Sequence, residues 1–260
     1  MSTTPGAVPL VEWPARLELA LSECRALRSV RVVAETASTQ DVARTLVDSG
    51  VADGLVVTTW RQTAGRGRLG RAWADTGVDG VAVTFALANA TNDLLALAAP
   101  VATARTAEAF LDRDVGIKWP NDVIVDGRKL AGILVERVRP CAIVGIGVNV
   151  RQSAFEGELA ASATSLRMCG AKADRCDVVA RLMVEFDSAL REDDDSLACA
   201  YATRDALAGR TATFATPDGE VTGLVQHAHP RAGIVVRCGD ESRSLPLATT
   251  SVVGWDGGAR

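Results

Sequence analysis

Residues 115–149 decide the fold of this chain; they read VGIKWPNDVIVDGRKLAGILVERVRPCAIVGIGVN. Apolar runs follow one another here with turns, and no helical pattern, between them: near 115–119, 123–125, 130–135 and 141–148. Asp126-Gly127 between two of these runs is a strong short-range signal for a β-hairpin. Consecutive strands without intervening helices predict an antiparallel or mixed sheet, and therefore an α+β fold.

Helical and extended patterns flank this segment on its N-terminal side. Apolar residues at helical spacing predict a helix near 12–28, and a capping box at Ser38 predicts another that ends at Gly50. Further strands are predicted near 29–34, 55–59 and 81–87. The remaining helices are predicted over 93–112, where Pro100 should kink the helix or start a new one, and over 173–191 and 196–207.

The sequence pattern changes after Gly209, where short β-rich runs alternate with Gly, Pro and Asp turns. About fifty residues of this kind predict a small five-stranded barrel. We therefore expect a larger unit over 1–208, with its core over 29–208, and a C-terminal barrel over 209–260.

The number and spacing of cysteines and histidines limit which metal sites and disulfides this chain can form. The six cysteines form no C-x-x-C pair and only two histidines are present, which argues against a zinc site and a disulfide framework. The start of the chain has no secretory pattern, and no apolar run approaches the ~18 residues of a membrane span. We expect reduced thiols and a cytoplasmic protein.

An arginine-rich loop over 61–73 is the strongest functional signal. It holds four arginines (Arg61, Arg66, Arg68 and Arg71), three glycines and no acid, in a chain of net charge −4. Glycine permits tight backbone conformations and arginine supplies paired donors, so the loop predicts an anion site, most simply for phosphate. The other reading is a flexible surface loop. Mutual repulsion of the arginines predicts a loop that is mobile until an anion binds.

The spacing Gly65-x-Gly67-x-x-Gly70 also matches the dinucleotide fingerprint, but that motif must join a strand directly to a helix. Here a loop and another apolar run follow the glycines, so the context excludes it. A kinase loop is excluded because no His-Arg-Asp or Asp-Phe-Gly segment occurs.

Two further segments carry polar groups. Asn121 and Asp122 follow Trp119-Pro120 between two strands, where they suit either Mg²⁺ beside phosphates or ordinary turn chemistry. Only three of the 28 basic residues are lysine, and two of these, Lys118 and Lys129, lie close together. Lysine is a compact point charge, so this clustering marks 118–129, although a turn-flanking surface lysine is the other reading of Lys129.

Five ordered motifs together resemble the biotin protein ligase family. They are TASTQ from Thr36, QTAGRGRLGRAW from Gln62, KWPNDV from Lys118, GRKLAGILVE from Gly127 and GIGVN from Gly145. The resemblance covers about 29–256. It implies a mixed sheet with helices, akin to class II synthetase and lipoate ligase cores, and a C-terminal SH3-like barrel.

The resemblance also implies site residues. Biotin and its adenylate are expected at Ser38, Thr39, Gln62, Arg66, Gly67, Arg68, Trp73, Lys129, Gly132 and Asn149. The phosphates of ATP are expected at Arg68, Arg71, Asn121 and Asp122, with Asp122 a magnesium ligand. Lys129 and Arg68 are the expected catalytic residues. Gln40 departs from the asparagine usual in the family after Ser-Thr.

The implied reaction joins biotin and ATP, with Mg²⁺, into biotinyl-5′-adenylate and then passes biotin to a lysine of a biotin carboxyl carrier domain. No tightly bound prosthetic group is expected. With about 28 residues before the first strand, we expect a monofunctional ligase that binds neither DNA nor membranes, as a monomer or weak homodimer. The alternatives are a relative that transfers lipoate or octanoate, and a non-catalytic nucleic-acid binder, which the net charge and scattered aromatic residues disfavour.

Overall fold

A computed structural model describes residues 7–50, 53–74, 77–88, 90–138, 141–230 and 233–258. Residues 1–6, from which the absence of a secretory pattern was partly judged, and 75–76, in the predicted loop after Trp73, lie outside these ranges. Within them, no helix is both long and apolar enough to cross a membrane.

Helices and runs of consecutive strands are both present up to residue 202, and only strands follow within the described ranges. The helices are α1 (Trp13–Leu21), α2 (Thr39–Asp48), α3 (Asn92–Glu108), α4 (Leu159–Ser162), α5 (Arg175–Ala189) and α6 (Asp194–Ala202). The strands are β1 (Ser29–Thr36), β2 (Leu55–Gln62), β3 (Gly65–Arg66), β4 (Ala72–Trp73), β5 (Gly80–Ala88), β6 (Gly116–Lys118), β7 (Asp122–Val125), β8 (Arg128–Val138), β9 (Cys141–Asn149), β10 (Thr211–Thr216), β11 (Gly219–His229), β12 (Gly233–Cys238), β13 (Glu241–Pro246) and β14 (Ser251–Trp255).

A seven-stranded sheet in the order β1-β2-β5-β9-β8-β7-β6 forms the centre of the molecule. β1 and β2 are parallel, and the other neighbours are antiparallel. The predicted mixed sheet of an α+β fold is therefore confirmed. Asp126 and Gly127 turn β7 into β8 with φ of 50° and 74°, the positive pair that a two-residue hairpin of type I′ requires.

Helices cover both faces of this sheet. α1, α3 and α5 pack with α6 on one face, where alternate strand residues such as Val56, Phe85 and Val144 belong to the larger core. α2 lies on the other face against Leu55 and Ile143. The split follows from the strand period, because successive side chains point to opposite sides of a sheet.

The C-terminal strands form an antiparallel five-stranded sheet in the order β13-β12-β11-β10-β14, which agrees with the predicted small β unit. Its core contains Phe214, Ile234 and Val236, and also Trp119 from the turn between β6 and β7. The exact boundary at 208/209 stays a prediction.

Two helix predictions were wrong in part. α1 ends at Leu21 and not near 28, because a buried carboxylate 160 residues away, that of Asp187, accepts the backbone N–H groups of Arg25, Ala26 and Leu27. α3 runs through Pro100 as one helix, so no new helix starts there.

The N-terminus of α2 also departs from the predicted capping box. Ser38 caps the helix, but its side chain accepts from the N–H of Gln40. The carboxylate of Asp41 binds Arg66 instead of turning back to the cap.

Candidate active site

A cavity of about 280 Å³ lies where the central sheet, the arginine-rich loop and β14 meet. Most of the predicted site residues line it: Thr39, Gln62, Arg66, Gly67, Arg68, Arg71, Trp73, Asn121, Asp122, Lys129 and Gly132. They come from segments as distant as residue 39 and residue 132, and the fold brings them to one place.

Ser38 and Asn149 are predicted site residues that are not among the residues lining the cavity. Ser38 is buried at the cap of α2. The side chain of Asn149 donates to the carbonyl oxygens of Thr164, at 2.9 Å, and Lys129, at 3.4 Å. Asn149 therefore supports the site indirectly, by binding the backbone carbonyl of Lys129.

The segment 65–73, which we name the arginine ribbon, contains secondary structure that its sequence does not predict. β3 and β4 pair through Gly65 with Trp73 and Arg66 with Ala72, and the N–H of Gly67 donates to the carbonyl of Arg71 at 2.7 Å. At the tip, Leu69 and Gly70 both have positive φ, 56° and 73°. A leucine in that region is uncommon and costs backbone energy.

Protein groups hold two arginines of the ribbon. Arg66 donates two hydrogen bonds of 2.8 Å to the carboxylate of Asp41. Arg68 donates to the carbonyl of Leu247 in the C-terminal unit at 2.6 Å. Burial lowers the pKa of Arg68 from its ordinary value, as it does for a cation held partly out of water. These contacts offset the mutual repulsion expected from the sequence.

Two lysines share one buried carboxylate at the far side of the cavity. Asp122 lies 2.7 Å from the ammonium of Lys129 and 3.3 Å from that of Lys118, and its side chain is only 15% exposed. Burial alone would raise the pKa of Asp122, but the two ammonium groups outweigh it and lower that pKa below its usual value. With Arg68 these groups form what we call the cationic end of the cavity.

A bulge in β8 aims Lys129 into the cavity. In the pairing of β7 with β8, Val123 faces Ala131 and Ile124 faces Lys129, so Leu130 is skipped. Leu130 and Ala131 both enter the core, while Lys129 and Gly132 reach the cavity. A bulge of this kind re-aims side chains next to a site.

The indole of Trp73 packs directly against two glycines of the central sheet. Gly132 and Gly147 are paired across β8 and β9, and a Cβ on either would come within 2.8 Å and 2.6 Å of the indole of Trp73. Both positions therefore require glycine for this close approach. The ammonium of Lys129 lies 5.4 Å from the same ring, within range of a cation–π contact.

Thr39, Gln62, Ala82 and Val83 line the part of the cavity formed by α2, β2 and β5, and we name these four residues the uncharged end. The side-chain oxygen of Gln62 accepts from the backbone N–H and the hydroxyl of Thr39, at 2.9 Å and 3.2 Å. The cavity thus offers hydrogen-bonding groups at one end and cations at the other.

Comparison with known proteins gives the family of this chain. Residues 32–151 match the model of the biotin/lipoate A/B protein ligase family. The biotin–[acetyl-CoA-carboxylase] ligase of Mycobacterium tuberculosis is 33% identical over 240 residues, which cover 87% of this chain and 89% of that protein. The chain belongs to the biotin protein ligase family.

Solved structures of biotin protein ligases share the fold. The enzyme of Aquifex aeolicus in complex with biotin and ATP superposes with a TM-score of 0.76 at 24% identity, over 87% of this chain and 99% of that one. The enzyme of Leishmania major in complex with biotinyl-5-AMP gives a TM-score of 0.59 at 23% identity, over 84% and 98%.

The residues of this ligase do not fit a magnesium ion directly on Asp122, because both of its oxygens face ammonium groups. Across the described ranges, no cluster of three or more His, Cys, Asp or Glu could hold a metal. Asp122 is therefore not proposed as a direct magnesium ligand, and no chemical step below depends on the ion.

Sequence reasoning on this ligase left out several residues of the cavity. The scarcity of lysine pointed to 118–129, but only Lys129 was placed in the site; Lys118 belongs there too. Gln40, also left out, lies over Gly145, and its amide reaches the carboxylate of Glu136 at 3.0 Å. Ser251 and Val252 come from the C-terminal unit, and their sequence carries no local signal.

Proposed function

We propose that this chain is an ATP-dependent biotin–protein ligase, which makes biotinyl-5′-adenylate and transfers biotin to a lysine of a biotin carboxyl carrier domain. The observation that carries the proposal is the polarity of the cavity. Its uncharged end suits the neutral rings of biotin, and its cationic end suits a carboxylate meeting a triphosphate. Family membership supplies the substrate class.

In the first step, a carboxylate oxygen of biotin attacks the α-phosphorus of ATP. An acyl–phosphate bond forms, the bond from the α-phosphorus to the bridging oxygen breaks, and pyrophosphate leaves with the electron pair. The two reactants are both anions, so their approach requires cations already in place. Lys118, Lys129 and Arg68 supply three positive charges at this end of the cavity.

Asp122 holds the two lysines ready for this step. Its carboxylate lies within 2.7 Å and 3.3 Å of their ammonium groups and fixes both without water between them. An ammonium group has three donors, so Lys129 can keep Asp122 and still donate to a phosphoryl oxygen. The buried pair therefore places the charge before the transition state forms, which is the condition for electrostatic catalysis.

In the second step, the neutral amine of a carrier lysine attacks the acyl carbon of the adenylate. An amide bond forms, AMP leaves, and the amine loses a proton. The adenylate is a reactive mixed anhydride, so it must be kept from water until the carrier arrives. The arginine ribbon and β14 close two sides of the cavity and suit this task.

The two alternatives differ in what they require. A lipoate- or octanoate-transferring enzyme belongs to the same broad family but would use another acid. A nucleic-acid binder requires an open basic surface, whereas Arg66 is paired with Asp41 and Arg68 is half-buried against Leu247. These contacts favour an enzyme cavity.

The purified chain tests the proposal through pyrophosphate release. We expect release with ATP and biotin, and background release with ATP and lipoate or ATP and octanoate. Mass spectrometry should then find one biotinyl group on a carrier domain and none on the carrier whose acceptor lysine is replaced by arginine. Release with lipoate but not biotin would reject the proposal.

The cellular compartment, oligomeric state and co-substrate of the enzyme belong to the same proposal. The structure keeps its six cysteines, all within the described ranges, as thiols, which suits a reducing compartment such as the cytoplasm. We propose a monomer or weak homodimer that binds no DNA, and ATP with Mg²⁺ as the co-substrate.

A further inference from the structure

The central sheet splits beside the uncharged end of the cavity. β2 pairs with β5 only from Leu55 to Thr58, opposite Ala86 to Val83. Beyond that point β2 stays paired with β1 as far as Gln62, and β5 stays paired with β9 as far as Gly80. Residues 59–62 and 80–82 therefore border a gap inside the sheet, which we name the strand split.

One buried side chain bridges the strand split. Arg175, at the start of α5, is 1% exposed. Its Nε donates to the carbonyl of Gly80 at 2.7 Å, and its Nη2 donates to the carbonyl of Trp60 at 2.5 Å. Two carbonyls that a continuous sheet would have satisfied thus bind one guanidinium group.

Two tryptophans hold this guanidinium in place. Its central carbon lies 5.1 Å from the ring centre of Trp13 and 4.8 Å from that of Trp60. Both distances are in the range of cation–π attraction. Burial lowers the pKa of Arg175 to about 10, so the group still carries its charge at neutral pH.

The guanidinium keeps one donor group unused. Nη1 of Arg175 is buried and has no hydrogen-bond partner among the described residues. Arg175 also lines a second cavity of about 10 Å³, bordered by Gln62, Trp73 and Ala82, which line the main cavity as well. That volume holds about one water molecule. The strand split thus opens toward the uncharged end.

We propose that Arg175 is a positioning residue for biotin: it bridges the strand split and so sets where Gln62 and Ala82 meet the rings of biotin. Lys118 and Lys129, which we assign to the phosphates, lie on β6 and β8, toward the opposite edge of the sheet from β2. Arg175 therefore acts on biotin and not on ATP. The inference rests on the proposed ligase function.

The test is the substitution Arg175→Lys, which keeps the charge but cannot bridge two carbonyls with a planar fork. The matched control is Asp187→Asn, since Asp187 lies on the same helix, is equally buried, and binds residues 25–27 instead of the cavity. Calorimetry measures biotin binding without ATP, and pyrophosphate release gives KM for each substrate.

We expect Arg175→Lys to weaken biotin binding and raise KM for biotin by about tenfold or more, the scale of losing one charged hydrogen bond. KM for ATP should change by less than about threefold, and Asp187→Asn should lower stability without either effect. Equal changes in both KM values, or the same loss of biotin affinity in Asp187→Asn, would overturn the proposal.

Hydrogen exchange in the unmodified protein gives a second test that does not depend on folding of a variant. Biotin alone should slow exchange at residues 59–62 and 80–82, and ATP alone should not; the reverse pattern would overturn the proposal. Calorimetry reads binding without turnover. If the unmodified chain binds biotin but releases no pyrophosphate, the ligase function is rejected. The ratio of the biotin affinities of the parent and Arg175→Lys still decides the role of Arg175.

Discussion

Lys129 and Asp122 form an ion pair to which we assign a part in both folding and chemistry. The carboxylate is mostly enclosed and lies 2.7 Å from the ammonium of Lys129, so removal of the lysine leaves an enclosed charge with Lys118 as its remaining direct ion-pair partner. A buried charge that loses a partner is costly. A variant at position 129 therefore changes stability as well as rate, and the two effects must be measured separately.

We expect Lys129→Ala to slow formation of biotinyl-5′-adenylate by about 10²–10³, the effect of removing one preorganised donor. Lys129→Arg keeps the charge and should recover part of the rate. Single-turnover pyrophosphate release gives the rate, and urea unfolding should show reduced stability for Lys129→Ala. Lys172→Ala is the control, because Lys172 is exposed and outside the cavity. A rate within a few-fold of the parent would make Lys129 a structural partner of Asp122 and no more.

Asp122 also predicts a pH dependence of stability. Its pKa is lower in the folded protein than its ordinary value, which is close to that of the unfolded chain. A lowered carboxyl pKa contributes stability that is complete above the unfolded pKa and is lost as pH falls through the folded pKa. The parent should therefore exceed Asp122→Asn in free energy of unfolding at pH 7. The difference should shrink below about pH 4. A difference that stays constant down to pH 2 would contradict the ion pair.

The contrast between predicted and missed residues has a physical basis. Asp126-Gly127 identified its hairpin because the two positive φ values that the turn needs are a local property of those residues. Arg175 and Asp187 gave no such signal, since each acts on backbone groups about 100 or more residues away. Most of the cavity was identified through ordered motifs, while Ser251 and Val252 reach it only through the packing of the two units.

The arginine ribbon is the element whose contacts are least evident from its sequence. The cluster of like charges predicted an open loop, but Asp41 and the carbonyl of Leu247 hold it from two sides. Its tip, by contrast, places Leu69 in a left-handed conformation with the side chain 59% exposed. The ribbon is anchored at β3 and at Arg68, and Leu69 at its tip stays exposed.

We expect biotin with ATP to slow hydrogen exchange at residues 67–72, which include the ribbon tip and both flanks, because anions bound at Arg68 and Arg71 add contacts there. Asp41→Asn removes one anchor and should speed exchange at 65–66 in the free protein, with less effect once ligands are bound. The exposed amide of Asp218, in the turn between β10 and β11, is an internal control. Equal protection of 67–72 with and without ligands would show a ribbon that is already closed.

At the scale of the whole molecule, the two units are joined at the cationic end of the cavity. Trp119 leaves the main unit and is fully buried in the C-terminal core, 6.5 Å from the ring of Phe214. β6 also bonds to the segment that leads to β10, through Ile117 with Arg204 and Ala206. The turn that carries Asn121 and Asp122 is thus fixed by the C-terminal unit as much as by its own strands.

This connection predicts different outcomes for two substitutions at position 119. Trp119→Ala empties part of the C-terminal core and should cost about 3–5 kcal/mol of stability, the range for a large buried aromatic residue. It should also raise KM for ATP more than KM for biotin, because Asn121 and Asp122 lose their support. Trp119→Phe should cost much less, since Nε1 of Trp119 is buried without a hydrogen-bond partner in the described chain and the smaller ring removes that donor.

Phe214→Leu separates loss of core packing from loss of support for the turn. Phe214 belongs to the same core but lies on β10, so this variant loosens the C-terminal unit without removing a residue from the turn. Thermal unfolding should show that both variants lose stability. The two KM values should show that only Trp119→Ala raises KM for ATP. If Phe214→Leu raises KM for ATP to the same degree at equal loss of stability, the C-terminal unit acts as a whole. Trp119 would then have no special role, because any loosening of that core would disturb the lysine–carboxylate cluster equally.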